Sequence, residues 1–273
     1  MKNKILIYDD NCPLCSWYSG EFVRFGFLSE SGRKAFSSLE SDLLLKIDFE
    51  KSKNEIPLLD MKTGKVLYGI DALLEILDDK IPWIKRTGNI SPIKWFLKKL
   101  YKFISYNRKV IVGKKCGPGS IDCAPDMNYF YRLLFMGFFL LFNTMMLFPL
   151  HQYIFAELSF YHLTIGKLLT AHFGLVVINC LLTLCLTKEK GFEYLGQVNM
   201  LALTVILLLI PLLVINRLQI PEWLNIVYII CTAAFIFKEY IRRMNFAGVL
   251  TNNKWLASIN LLSLTGFLFF LFH

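Results

Sequence analysis

Two hydrophobic patterns divide this chain of 273 residues. Up to residue 131 the apolar positions come in short runs broken by charged and turn residues; beyond it they come in long uncharged runs. A helix needs about 20 mostly apolar residues to cross a bilayer. Segments 133–150, 168–186, 195–215, 223–237 and 255–272 meet or approach that length. They predict an all-α transmembrane domain of about five helices over 132–273. The fourth segment is the shortest, with Glu222 and Lys238 snorkelling at its ends. A re-entrant segment is the alternative there.

The first half reads as mixed strand and helix. Ile5-Leu6-Ile7-Tyr8 is a run of four apolar, mostly β-branched or aromatic residues, the pattern of a buried strand. Asp9-Asp10-Asn11 stops it, Cys12-Pro13-Leu14-Cys15 follows, and Trp17, Phe22, Val23 and Phe25 supply the apolar positions of a helix closing near Gly26. Segments 34–39 and 43–49 read as a second strand and part of a helix. Residues 55–60 form a short strand entered through Ile56-Pro57, 61–65 a turn, 66–68 the returning strand and 70–77 an amphipathic helix. Strand, helix, strand, then proline, hairpin and helix resembles the thioredoxin-like order. An α/β thioredoxin-like domain is therefore expected over 1–115, joined by a linker, 116–131, to the membrane helices. In that fold a cis-proline precedes the hairpin and packs against the active-site disulfide. Pro57 stands at that place, with an ordinary trans proline at a strand start as the alternative.

The cysteines fall at the strand-to-helix junction. Spaced i and i+3 on the first turn, Cys12 and Cys15 can close a small disulfide ring. The first lies near free backbone N–H groups and the positive end of the helix dipole, which stabilise a thiolate. Cys12 is thus the expected nucleophile and Cys15 the resolving thiol. Pro13 fits an early helical position, where its missing N–H is harmless. A neighbouring carboxylate disfavours a thiolate; Asp9 is instead the candidate proton relay for Cys15. No histidine precedes His151, so a Cys-His hydrolase is excluded in this half.

These motifs resemble the DCC family of thiol–disulfide oxidoreductases, named for Asp-x-x-Cys-x-x-Cys. The motif here is Asp9-Asp10-Asn11-Cys12-Pro13-Leu14-Cys15, after an Ile-Tyr strand. Tyr68-Gly69-Ile70-Asp71-Ala72-Leu73 resembles the family's Gly-x-x-Ala-Leu junction, and Tyr101 to Asn107-Arg108 its late Tyr…Asn-Arg element. The resemblance spans about residues 4–115 and implies redox chemistry at Cys12 and Cys15 with no cofactor. Asp10 departs from it, standing where Gly is usual; a second acid beside the thiols is expected to lower their reactivity.

Composition and charge narrow the setting. With 55% hydrophobic residues and a mean hydropathy of +0.47, a wholly soluble enzyme and a secreted disulfide scaffold are excluded. Only four apolar residues separate Lys4 from Asp9, short of the about 7–15 of a signal-peptide core, so no cleavable signal is expected. Lys188 and Lys190 in the second connection, and Lys238, Arg242, Arg243 and Lys254 in the fourth, alternate with poorly basic first and third connections. By the positive-inside rule this fits five spans with the N-terminus inside. The expected setting is a bacterial inner membrane with the first domain in the cytoplasm.

Residues 80–115 carry eleven Lys and Arg and no acid. They include a predicted helix over 92–106 with Lys94, Lys98 and Lys102 on one face and Ile93, Phe96, Leu97, Leu100, Phe103 and Ile104 on another. Such a helix suits an anionic lipid surface rather than nucleic acid; packing on the thioredoxin-like core is the alternative. Cys116 and Cys123 flank a Gly-Pro-Gly turn before the first span. A second redox pair, a metal site shared with Cys12 and Cys15, and two ordinary loop thiols all remain open. Polar residues within the spans, His172 and Asn143, Asn179, Asn199, Asn225 and Asn260, invite interhelical hydrogen bonding or a transmembrane function.

The reading that follows is a membrane-anchored thiol–disulfide oxidoreductase acting at the cytoplasmic face on a protein or small-molecule thiol or disulfide. The alternatives are a non-enzymatic transporter subunit or assembly factor whose cytosolic domain binds metal or a partner, and a transmembrane electron relay.

Overall fold

A computed structural model describes residues 3–113, 125–155, 163–215 and 222–272. The chain divides into two compact units, Met1–Tyr131 and Arg132–His273. Cys116 and Cys123 lie outside the described residues.

The first unit is built on a four-stranded sheet of β1 (Lys4–Tyr8), β2 (Arg33–Ala35), β3 (Pro57–Asp60) and β4 (Val66–Tyr68), in the order β2-β1-β3-β4. β1 runs parallel to β2 and antiparallel to β3, and β3 pairs antiparallel with β4. The helix α1 (Pro13–Arg24) makes the crossover from β1 to β2. This is the thioredoxin-like arrangement that the element order predicted.

β1 is paired on both edges, and its side chains are covered on both faces. Leu6 packs with Leu28, Leu58 and Ile76 on one side, and Ile7 with Phe36 and Ile47 on the other. Both are fully buried, each contributing about 1.5–3 kcal/mol. That two-sided burial is why the strand reads as an unbroken apolar run.

The 34–39 segment is strand only to Ala35 and then closes into a single turn, Phe36–Ser38. The 43–49 segment is split between α2 (Ser41–Leu44) and α3 (Phe49–Asn54), because Asp48 accepts from the Lys51 N–H at 3.0 Å and starts a new helix. The hairpin leads into α4 (Gly69–Asp78). Gly69 has φ +57°, its N–H donates to the Ile56 carbonyl at 2.9 Å, and a Cβ there would meet Glu55 at 3.3 Å. Glycine suits both the conformation and the close approach. Next come α5 (Pro82–Gly88), which the sequence reading omitted, and α6 (Ser91–Val112), which runs past Tyr106 until Gly113 ends it with φ +58°.

The remaining helices are α7 (Tyr129–Leu150), α8 (Ile165–Thr183), α9 (Lys188–Ile215), α10 (Glu222–Phe246), α11 (Val249–Asn252) and α12 (Lys254–Phe272). Five of them are long and apolar enough to cross a membrane. α10 is one continuous helix rather than a short or re-entrant segment. It extends past Lys238 because Glu239 pairs with Arg242 at 2.5 Å and Arg243 at 2.7 Å along the helix face. The expected fourth basic loop is therefore largely helical.

Polar side chains in the second unit tie helices together. Asn179 Oδ1 accepts from Tyr194 Oη at 2.5 Å and from Asn260 Nδ2 at 2.7 Å, joining α8, α9 and α12. Gln197 donates to Glu193 at 2.8 Å and accepts from Arg243 at 2.8 Å. Arg132 lies 3.7 Å from Glu193, and His172 shares a hydrogen bond with Thr144 at 3.1 Å. In a medium without water these groups find partners in one another.

Candidate functional site

The site begins where β1 ends. Tyr8 is its last residue, Asp9 to Asn11 turn the chain, and Cys12 is the N-cap of α1, with Pro13 in the first helical turn. The turn is closed by Asp9: its carbonyl accepts from the Cys12 N–H at 3.2 Å and its carboxylate from the Asn11 N–H at 3.0 Å. Cys12 and Cys15 are free thiols, 8% and 5% exposed, and Asp9 is 5% exposed.

Arg108 completes the site from α6. Its Nη1 donates to Cys15 Sγ at 3.6 Å, and its Nη2 lies 3.2 Å from Asp9 Oδ2 and donates to the Lys53 carbonyl at 3.4 Å. Burial works against its charge, but Cys15, Asp9 and Cys12 outweigh burial and hold the guanidinium charged. Tyr101, two turns earlier on α6, accepts from the Ile56 N–H at 2.8 Å. One turn after Tyr101, Ser105 donates to the Asn54 carbonyl at 2.6 Å. Tyr101, Ser105 and Arg108 thus share the inward face of α6 at helical spacing.

These contacts separate the two thiols chemically. A hydrogen bond from Cys15 brings the Cys12 thiol down to about 6; burial and Asp9 oppose this, while Arg108 assists. Cys15 is pushed well above the ordinary thiol range, first by that hydrogen bond and then by burial. Tyr18 is also pushed up, chiefly by burial. At pH 7 a thiol titrating near 6 is roughly nine-tenths thiolate, which is the nucleophilic form.

Asp9, Cys12 and Cys15 lie together at this junction, with Arg108 against Asp9 and Cys15. Pro57 is not the expected cis-proline, for there is no cis peptide bond among the described residues. Ile56 donates to Tyr101 and accepts from Gly69, and Pro57 pairs across the sheet with Tyr68, which draws the Ile56–Pro57 link into the line of β3. The Asp10 carboxylate accepts from the Ser37 hydroxyl at 2.8 Å.

The family resemblance marks Tyr101 and Arg108 but gives them no role at the thiols, and Tyr18 escapes it. The spacing of Tyr101, Ser105 and Arg108 along a helix was the available signal. Tyr101 also lines a pocket of about 340 Å³ with Lys51, Glu55, Tyr68 and Lys102. Among the described residues no cluster of His, Cys, Asp and Glu could hold a metal ion.

Residues 6–114 match the family model of the DCC1-like thiol-disulfide oxidoreductases. The match covers the thiol-bearing domain and stops short of the five apolar helices. No curated protein and no solved structure matches the chain.

Proposed function

We propose that this protein is a membrane-anchored thiol–disulfide oxidoreductase whose Cys12/Cys15 pair works at the cytoplasmic face. The observation that carries the proposal is the Cys12 thiol held near 6 at a helix N-cap, with Cys15 protonated beside it and Arg108 behind it.

The chemistry follows from that asymmetry. The Cys12 thiolate attacks one sulfur of a substrate disulfide, and the other sulfur leaves as a thiolate and takes a proton from solvent. Cys15 then loses its proton and attacks Cys12 Sγ, which expels the second substrate thiolate. The substrate disulfide gains two electrons and the protein pair loses them as a Cys12–Cys15 disulfide. A dithiol reductant restores the pair by the reverse exchange. Asp9 is the carboxylate bonded to Arg108 and electrostatically felt by both thiols, and we assign it as acceptor of the Cys15 proton.

The cytoplasmic assignment draws on Lys188, Lys190 and Lys254 at connections on one side of the spans. A periplasmic rather than cytoplasmic report from a tag on Cys12's domain overturns it.

The test of the chemistry is trapping in cells. A Cys15→Ser variant retains the nucleophile and lacks the resolving thiol, so it should accumulate mixed disulfides on Cys12. A Cys12→Ser/Cys15→Ser control should accumulate none. Equal adducts in the two, or none in either, overturn the proposal.

A further inference from the structure

α6 has a second face that the thiol site does not use. Tyr101, Ser105 and Arg108 point inward, and Lys94 pairs with Asp71 at 2.6 Å and Lys98 with the same carboxylate at 3.5 Å. About a quarter-turn away from that face, Ile93, Phe96, Leu100 and Ile104 follow one another at helical spacing, all exposed. Trp95, further around the same helix past Phe96, is 64% exposed, with the Lys99 ammonium 5.8 Å from its ring centre. Trp83 on α5 and Ile90 before α6 are exposed as well. An apolar stretch of this size, edged by Lys99 and Arg86 and lacking any acid from Lys80 to Gly113, marks an interaction surface.

The same helix shows where the stretch ends. Beyond Ile104 the outer face is covered: Asn107 Nδ2 donates to the Tyr131 carbonyl at 3.1 Å, and the Tyr106 ring stacks on Tyr131 at 5.1 Å. Tyr131 belongs to the first apolar helix, whose span begins at Tyr129. These contacts lie within the first unit, whose last residue is Tyr131.

We propose that the exposed face of α5 and α6, led by Trp83, Trp95, Phe96 and Leu100, lies in the headgroup region of an anionic bilayer. Tryptophan favours that region, the aliphatic and phenylalanine side chains insert just below it, and Lys99 and Arg86 meet the lipid phosphates. This differs from a lipid contact made by the row Lys94, Lys98 and Lys102, since two of those ammonium groups are engaged by Asp71. The inference is independent of the redox reading.

Full-length protein in vesicles of brominated phosphatidylglycerol and phosphatidylcholine tests it through tryptophan emission. Bromine quenches only tryptophans within contact range of the lipid. The chain has five tryptophans, of which Trp223 and Trp255 lie in apolar helices and Trp17 does not. A Trp83→Phe/Trp95→Phe variant should lose roughly half of the quenchable emission. A Phe96→Glu/Leu100→Glu variant, which keeps both tryptophans, should lose a large part of it while its Cys12 alkylation profile stays unchanged. Omitting phosphatidylglycerol should weaken the quenching of Trp83 and Trp95. Equal quenching in wild type and the double-Phe variant overturns the proposal. So does a face shielded from aqueous acrylamide yet untouched by bromine, which would mean that protein covers it, a second copy included. Quenching indifferent to phosphatidylglycerol overturns the anionic preference.

Discussion

Replacing Arg108 by Met should raise the pH at which Cys12 becomes reactive. The guanidinium is 3.6 Å from Cys15 Sγ. Cys15 is also the hydrogen-bond partner of Cys12, and the Arg108 charge favours the Cys12 thiolate in its own right. At an effective dielectric near 20, unit charges about 8 Å apart interact by roughly 2 kcal/mol. Solvent screening at the site's mouth reduces that, leaving a change of about 1 to 1.5 pH in the Cys12 profile.

The assay must be a full alkylation rate–pH profile on reduced protein, for a reason the chemistry supplies. If the midpoint rises from about 6 by that amount, the thiolate fraction at pH 7 falls about two- to fourfold. Each remaining thiolate becomes about three- to fourfold more nucleophilic, because nucleophilicity rises with basicity. The rate at pH 7 then hardly moves, while the midpoint does. Arg108→Lys should keep the midpoint low. Asp9→Asn should lower it, since Asp9 opposes the thiolate. Losing Arg108 leaves a buried carboxylate without its ion pair, a cost of about 3–5 kcal/mol, so Arg108→Met is also measured with Asp9→Asn to restore folding. A midpoint indifferent to Arg108→Met in both backgrounds, or raised by Asp9→Asn alone, refutes the electrostatic account.

The reduction potential of the Cys12/Cys15 pair should fall by about 59 mV per pH below about 6 and by about 30 mV per pH above it, because one proton then accompanies two electrons; a single steep slope through pH 8 counts against a lowered Cys12. Cys12 titrates below its ordinary value of 9.0 in the folded protein, so its contribution to the stability of the reduced form is complete above about 9 and disappears as pH falls through about 6. Denaturant titration of reduced protein should show that rise, and Cys12→Ser should abolish it. Gly69→Ala should destabilise the thioredoxin-like domain by about 1–2 kcal/mol through its positive φ and the approach to Glu55; an unchanged melting temperature would refute this. Tyr194→Phe removes a hydrogen bond to Asn179, which still accepts from Asn260, and should cost only about 0.6 kcal/mol. Arg243→Leu leaves the buried Gln197 without its donor while Glu239 keeps Arg242, and should cost about 1–3 kcal/mol, a contrast that unfolding in mixed micelles can read.

Much of this was legible along the chain because it is locally encoded. The buried strand, the cysteines at its end, the hairpin and the apolar helices each depend on residues close in sequence. What escaped is long-range. Arg108 reaches Cys15 across 93 residues; the Asn-Arg element marks it among the cations of its helix, but only the fold shows that it meets the thiols. Of the two readings of Pro57, the trans proline at a strand start is the one found, as the first residue of β3. The fourth basic loop was misplaced because the pairing of Glu239 with Arg242 and Arg243 lets a helix continue through charges that hydropathy alone reads as a boundary.

The basic stretch shows the same limit in reverse, for composition overstated its outward charge. Lys80 donates to the Phe25 carbonyl at 2.6 Å, Lys85 pairs with Glu75 and Asp78, Lys94 and Lys98 share Asp71, and Arg108 pairs with Asp9. The acids missing from residues 80–113 are supplied by α4 and by the turn before α1. Much of the run therefore clamps α5 and α6 to the sheet domain and sets the potential at Cys15. An excess of lysine is commonly taken as the signal for an anionic partner, but here the side chains left facing outward are chiefly Trp, Phe, Leu and Ile, with Lys99 and Arg86 among them. Attraction by Lys99 and Arg86 alone would be modest and salt-screened. The apolar stripe must then supply most of the affinity for any surface α6 meets, and the charge its preference among lipids.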